Sequence, residues 1–426
     1  MLIGWLIGIL GMVRAQSIPV IDPSRTTDTS FSALFEDAEL IPLETSRASV
    51  FGVVKQLLVT HQYFIILDPD TNAVLFFDKK GRFVTKYKNK QRRYSINSIQ
   101  LDPVHNALLI FSQNKNYNIS AAKLQAYLAK GAEKELPGLI QNTRLYLDDL
   151  VALHSEALKP YAYGLTNPVL LADNLFAYSF IKSNANHKDT TDHQIHIVSG
   201  NTTVKSFFPY NLKKDSLFSN DGRNVWQCSF SATSNDSVLL VTRPYDSIIY
   251  ALTPSSVTER YKVVTRRRET TGTFFGIESA SFSGGENFIM QAPGFGAGRA
   301  GTSFVFNTNN IGQVFSLDPY LFFSIRQSFV YDYFIYNTIN HRLYKYNELK
   351  PDSSNYMFPL TGPILASDQS GIYQSITPRS LFRRKKNAAQ SKWKYQASLA
   401  HFYNTGEKTD NPVLIRIKPK EQTVIK

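Results

Sequence analysis

Short apolar runs closed by turn residues recur along this chain at spacings of roughly 45–70 residues, and that recurrence constrains the fold more than any other feature. Residues 63–67 form an apolar run, Asp68-Pro69-Asp70-Thr71-Asn72 a turn, and residues 73–77 a second run. Asp78-Lys79-Lys80-Gly81 then turns the chain into a third run over 83–87, with Gly81 able to take a positive φ. The cadence returns more weakly at 107–111. It returns clearly at 175–180 with 194–198, 238–241 with 247–252, 287–291 with 302–306, and 333–336 with 342–346. That makes six apolar hairpin units.

One four-stranded sheet cannot cover both of its faces. Stacking such sheets radially buries each against its neighbours and leaves only short edges. Residues 64–67 and 238–241 are apolar at successive positions, as strands flanked on both sides require. Tyr (23) and Phe (29) far outnumber Trp (3) and Met (4), a balance that favours sheet. The expected fold is all-β, a six-bladed β-propeller over residues 39–418, with a short tail at 419–426. Its ends are expected to meet, the strand at 413–417 pairing beside 40–43 to close the ring.

Three segments read differently. Residues 2–13 are an unbroken apolar stretch, too short to span a bilayer and matched to a secretory signal, with Val13 and Ala15 placed for cleavage before Gln16. Residues 16–38 are polar and read as a linker. Residues 121–159 carry Leu124, Tyr127 and Leu128, then Leu145, Leu147, Leu150, Leu153 and Leu158, which reads as a helical insertion between blades two and three, broken at Pro137-Gly138.

The net charge is +13, or +12 once Arg14 is removed with the signal. A basic surface could attract nucleic acid, anionic lipid or acidic glycan, but these charges are scattered, as solubility charge is. Cys228 is the single cysteine, so neither an internal disulfide nor a cysteine-based zinc site can form. Its apolar neighbours suggest a buried thiol.

Most apparent motifs dissolve on inspection. Gly296-Ala297-Gly298-Arg299-Ala300-Gly301 has dinucleotide-loop spacing, but the following residues read as a strand, whereas that chemistry needs a helix N-terminus. His187, His193 and His196 lie near Asp189 and Asp192, yet positions 193 and 196 of a strand face opposite ways, so no metal site is expected. Two basic runs, Arg266-Arg267-Arg268 and Arg383-Arg384-Lys385-Lys386, could line an anion-binding mouth or simply be solvated loops. Arg266, Arg267 and Arg268 are the ligand-binding candidates. The sequence points to no catalytic residue and no cofactor.

Several stretches are similar to a known group. Ile41-Pro42-Leu43-Glu44-Thr45-Ser46, Phe76-Phe77-Asp78-Lys79-Lys80-Gly81-Arg82-Phe83, Tyr245-Asp246-Ser247-Ile248-Ile249-Tyr250 and Asp410-Asn411-Pro412-Val413-Leu414-Ile415 together resemble six-bladed β-propeller proteins of Bacteroidota, distant relatives of NHL-repeat propellers. The resemblance implies an exported protein, in a group often lipid-anchored and mostly without assigned function. This chain departs from it in lacking a lipobox cysteine and the Gly-Pro-Gly-type turn after the first hairpin, where residues 88–94 stand. Neither a lipid anchor nor a membrane span is therefore expected, and localisation is expected to be periplasmic or secreted. The expected function is non-catalytic binding or scaffolding in the bacterial envelope, with a glycan, peptide or envelope protein as partner rather than nucleic acid. A propeller hydrolase or lyase acting on polysaccharide or peptide is the alternative. A binding site is expected where loops converge on one face of the disc.

Overall fold

The computed structural model describes residues 17–420 apart from 90, 118, 120, 131–133, 180–192, 210–227, 234–236, 245, 265–309, 328–329, 357, 359, 361, 389–394 and 396. Two short strands, β1 (Val20–Ile21) and β2 (Glu39–Pro42), precede the first sheet. Blade one is β3 (Gln56–Val59), β4 (Tyr63–Asp68), β5 (Ala73–Asp78) and β6 (Phe83–Lys88). Blade two is β7 (Tyr94–Asp102), β8 (Ala107–Asn114), β9 (Ile140–Tyr146) and β10 (Ser155–Leu158). Blade three is β11 (Val169–Ala172), β12 (Leu175–Ser179), β13 (His193–Ser199) and β14 (Thr202–Pro209). Blade four is β15 (Ser229–Ala232), β16 (Leu239–Thr242), β17 (Ile248–Leu252) and β18 (Val257–Val263). Blade five is β19 (Asn310–Leu317), β20 (Tyr320–Gln327), β21 (Val330–Asn337) and β22 (Leu343–Lys345). Blade six joins β23 (Ala366–Asp368), β24 (Gly371–Ile376) and β25 (Val413–Ile417) to β2.

Within each blade the ladder is antiparallel, and in blades one to five strand order follows the chain outward. The first strands lie innermost: β7 touches β3 and β11, β19 touches β15 and β23, and β23 returns to β3. The molecule is a six-bladed β-propeller. Burial follows that geometry. β4 and β5 are buried along almost their whole length, whereas β14 and β18 on the rim are largely exposed.

The hydrophobic core is divided among the blade junctions. Ile65, Leu67 and Phe76 of blade one pack with Ile99, Leu108 and Leu145 of blade two. Ala177, Ile195 and Ile197 of blade three meet Leu239, Val241 and Leu252 of blade four. Leu240 and Ile249 meet Leu321 and Phe323 of blade five. The opposite face of blade five, with Phe322 and Ile335, packs on Ile372, Val413 and Ile417 of blade six. Tyr373 and Leu414 close the circle on Phe64, Ile66 and Leu75. Radial stacking is thus the main burial in the molecule.

Side-chain amides stitch the inner strands together. Gln56 on β3 accepts from Ile99 N (3.0 Å) and donates to Ile99 O (2.6 Å) on β7. Gln100 repeats this one blade on, accepting from Leu170 N (2.7 Å) and donating to Pro168 O. Asn72, in the β4–β5 turn with φ of 51°, bonds Tyr94 O and Ile96 N.

The ends meet as expected. Leu40 and Ile41 of β2 pair with Ile415 and Leu414 of β25. Asn411 is 1% exposed; its amide accepts from Phe51 N and donates to Glu44 O and Ser49 O. Gly81 takes φ of 81° in the β5–β6 turn, where an added Cβ would lie 2.1 Å from Pro42 O.

Two sequence expectations need correction. The segment read as a linker is a packed strap. Val20 and Ile21 add a parallel strand to the edge of β18, Thr26 bridges to Leu343 on β22, and buried Phe31 and Phe35 pack at the junction of blades five and six. Polar composition concealed this because only one residue in several turns inward. The helical insertion is half helical. Helix Ala121–Lys130 forms, but residues 140–146 and 155–158 are β9 and β10, so the insertion lies within blade two rather than after it. Leucines at 145 and 147 have strand spacing, and Ile140 and Thr143 favour sheet. The hairpin expected at 287–306 lies outside the described residues; among those described, six sheets form, the sixth from both chain ends.

Candidate functional site

The ladder registers define a common end for the inner strands. Ser229 pairs with Thr242 and Ile311 with Ile325, while Pro363 and Ile364 lead into β23. At this end a pocket of about 430 Å³ opens over the top of blade five, between its neighbours. Consecutive residues Phe322 and Phe323 both line it, although they point to opposite faces of β20, one toward blade six and one toward blade four. Tyr331, Tyr333 and Phe334 of β21, Phe315 of β19 and Tyr346 complete a largely aromatic wall. A bulge in β19 between Ile311 and Val314 admits Gly312, where a Cβ would stand 2.3 Å from the Ser324 hydroxyl oxygen.

Arg243, just after β16, is the only lining residue with a full charge among the described residues. It is held from behind. Its Nε donates to Gln194 Oε1 of blade three (3.0 Å), its Nη1 meets Asp246 Oδ2 (3.1 Å), and its guanidinium carbon lies 4.1 Å from the Phe208 ring centre. Asp246 in turn accepts from the Tyr250 hydroxyl at 2.8 Å. Such bracing removes the entropy a long side chain would lose on meeting a ligand.

Tyr346 is 1% exposed, and its hydroxyl makes no hydrogen bond. Gln374 is its polar side-chain neighbour, in a contact short of good hydrogen-bond geometry, and gives its own amide N–H to the carbonyls of Gly362 and Pro363. Burial raises the Tyr346 phenol above its ordinary value, so it stands in the wall as a neutral donor. The Tyr333 ring meets it edge-on at 6.4 Å and lies near-parallel to Tyr331, 25° apart with centres 6.3 Å apart. Tyr331 is 42% exposed, so the pair runs from the interior to the surface.

A second polar cluster occupies the far end of blade two. Asp102, 3% exposed, contacts His105 Nδ1 (2.9 Å) and Arg144 Nε (3.1 Å), and Arg144 reaches Glu156 at 2.7 Å. These partners all belong to one blade and brace its β7–β8 turn.

The sequence-derived candidates do not meet here. Arg266, Arg267 and Arg268 lie outside the described residues, as do the Gly296–301 stretch, His187, Asp189 and Asp192. His196 is stacked on Tyr178, with its ring nitrogens at Ser206 Oγ and His193 O. Arg383, Arg384 and Lys385 sit on helix Pro378–Ala388 rather than in a solvated loop; Arg384 lies over Phe358, and Lys385 donates to Tyr403 O. Sequence reasoning passed over Arg243 because it stands alone in a short loop. The available signal was a single arginine directly following an apolar strand.

Comparison with known proteins agrees on fold. Residues 14–118 match a family model described as a 6-bladed beta-propeller. A Bacteroides fragilis protein described as exported superposes with a TM-score of 0.60 at 15% identity, covering 95% of this chain and 100% of that one. At that identity the likeness is one of architecture. A member of the duf4221 family from Bacteroides vulgatus gives a TM-score of 0.41 at 10% identity, covering 91% and 99%. No curated protein matches the sequence. Among the described residues no helix is long and apolar enough to cross a membrane.

Proposed function

We propose that this chain is an exported propeller of the bacterial envelope that binds a ligand at the pocket over blade five without transforming it. The observation that carries this reading is the wall itself: ring faces, hydroxyls and backbone, with one braced guanidinium. These groups grip and orient a ligand, whereas the hydrolase or lyase alternative would have to draw its acid, base or nucleophile from the tyrosine and serine hydroxyls.

Export is supported by the apolar stretch at 2–13 and by the exported description of the Bacteroides fragilis structure. Cleavage before Gln16 would also suit the fold, since Pro19 O already accepts from Lys262 N in the β1–β18 edge. Mass spectrometry of the protein recovered from the periplasm or medium is expected to find Gln16 at the N-terminus; a chain retaining residues 1–15 in the cytoplasm would overturn the export reading. Residues 16–426 screened by thermal shift against glycans, peptides and fatty acids are expected to give a hit that Tyr333→Ala abolishes. A hit indifferent to Tyr333→Ala and Arg243→Gln would place binding elsewhere.

A further inference from the structure

Resting on that reading, we infer that the pocket takes an anionic sugar: a pyranose ring bearing a carboxylate or sulfate, with its acidic group at Arg243, its hydroxyls at Tyr346 and its face along Tyr333 and Tyr331. Three independent features of the wall converge on this class.

The first is charge. Arg243 is fixed by Gln194, Asp246 and the Phe208 ring, and so held it lines the pocket. A planar guanidinium suits the paired oxygens of a carboxylate or sulfate. The net charge of +12 on residues 16–426 favours the approach of anions.

The second is the orphaned hydroxyl. A buried donor without a partner is costly, and buried polar groups in folded proteins are almost always paired. Tyr346 in the pocket wall breaks that rule, and a ligand hydroxyl would restore it. A fatty acid could satisfy Arg243 and the ring faces but offers this phenol nothing.

The third is the pair of near-parallel tyrosines, two positions apart on β21 and therefore on one side of the strand. Their rings present apolar faces with polar rims, the surface that a sugar ring's own apolar face and equatorial hydroxyls complement. A volume of about 430 Å³ accommodates a terminal sugar and part of the next.

The test uses residues 16–426 and isothermal titration with digalacturonate, a 6-sulfated N-acetylglucosamine disaccharide and neutral cellobiose. At least one acidic disaccharide is expected to bind at least about tenfold more tightly than cellobiose, with affinity falling as salt rises. Arg243→Gln is expected to remove that preference. Because it also unpairs Asp246, Tyr346→Phe provides the second arm: it deletes only the orphaned hydroxyl, is expected to leave the unliganded melting temperature unchanged or raised, and should weaken binding about three- to tenfold. The two acidic probes separate carboxylate from sulfate. Equal binding of cellobiose, or full affinity in both variants, overturns the inference. Binding of a peptide or fatty acid but no sugar, lost in Tyr333→Ala, overturns the sugar while leaving the binding reading standing. A folded chain that binds no probe of any class overturns both.

Discussion

Asn411 shows how much one side chain can hold. Its amide fills three backbone groups in the 44–51 loop, which crosses from blade six to blade one, while its own N–H goes to Thr45 Oγ1 at 2.8 Å. Asn411→Ala strands those groups at a buried site and is expected to lower unfolding free energy by about 3 kcal/mol in urea titrations. Gly81→Ala is expected to cost a comparable amount, about 2–3 kcal/mol, because the positive φ and the contact with Pro42 O both exclude a Cβ. Cys228 tests burial by another route. Burial pushes its thiol from 9.0 up to about 11, so the folded chain holds the proton that the unfolded chain releases. The raised value contributes stability that is complete below pH 9 and lost as pH rises toward 11, about 2–3 kcal/mol in all. Cys228→Ala should flatten that part of the pH–stability profile, and alkylation of native Cys228 at pH 8 should be slow until denaturant is added.

At the scale of elements, the strap and the paired termini carry the expectations. Removing residues 16–29 deletes β1 and the Thr26 bridge but spares Phe31. The propeller is expected to fold with a lower melting temperature, and hydrogen exchange should quicken along β18 and β22, whose edges lose cover. Deleting residues 411–426 takes away β25 and Asn411 together and is expected to prevent cooperative folding, measured by calorimetry. The inserted helix Ala121–Lys130 behaves differently from both. Its Leu124 and Leu128 lean on Tyr163 and Tyr178 of blade three, so it bridges two blades from outside the ladder.

For the whole molecule, the architecture was legible because a radially stacked sheet leaves a local signature: strands apolar at consecutive positions, closed by Asp, Asn and Gly turns. Residues 63–87 display it completely, and the structure follows it strand for strand. Where burial is one-sided the signature thins. The strap buries only Ile21, Phe31, Leu34, Phe35 and Ala38 among mostly polar neighbours, and 140–158 mixes strand and helix spacing, so neither segment announces its structure. The pocket was legible in no run of sequence, because Arg243, Tyr333 and Tyr346 come from two blades and acquire meaning only when ladder registers bring them to one end. A basic triplet is conspicuous in sequence, whereas one braced arginine is not.

The pairing of β2 with β25 has a consequence for biogenesis. An emerging polypeptide delivers the rim strand of its last blade first and that strand's partner almost at the end. Until then the nascent ring stays open, with edges on β2 and blade one that no other part of the chain can satisfy. Premature termination would therefore leave a sticky, protease-sensitive fragment rather than a smaller working disc, and completion of synthesis becomes the checkpoint for maturity.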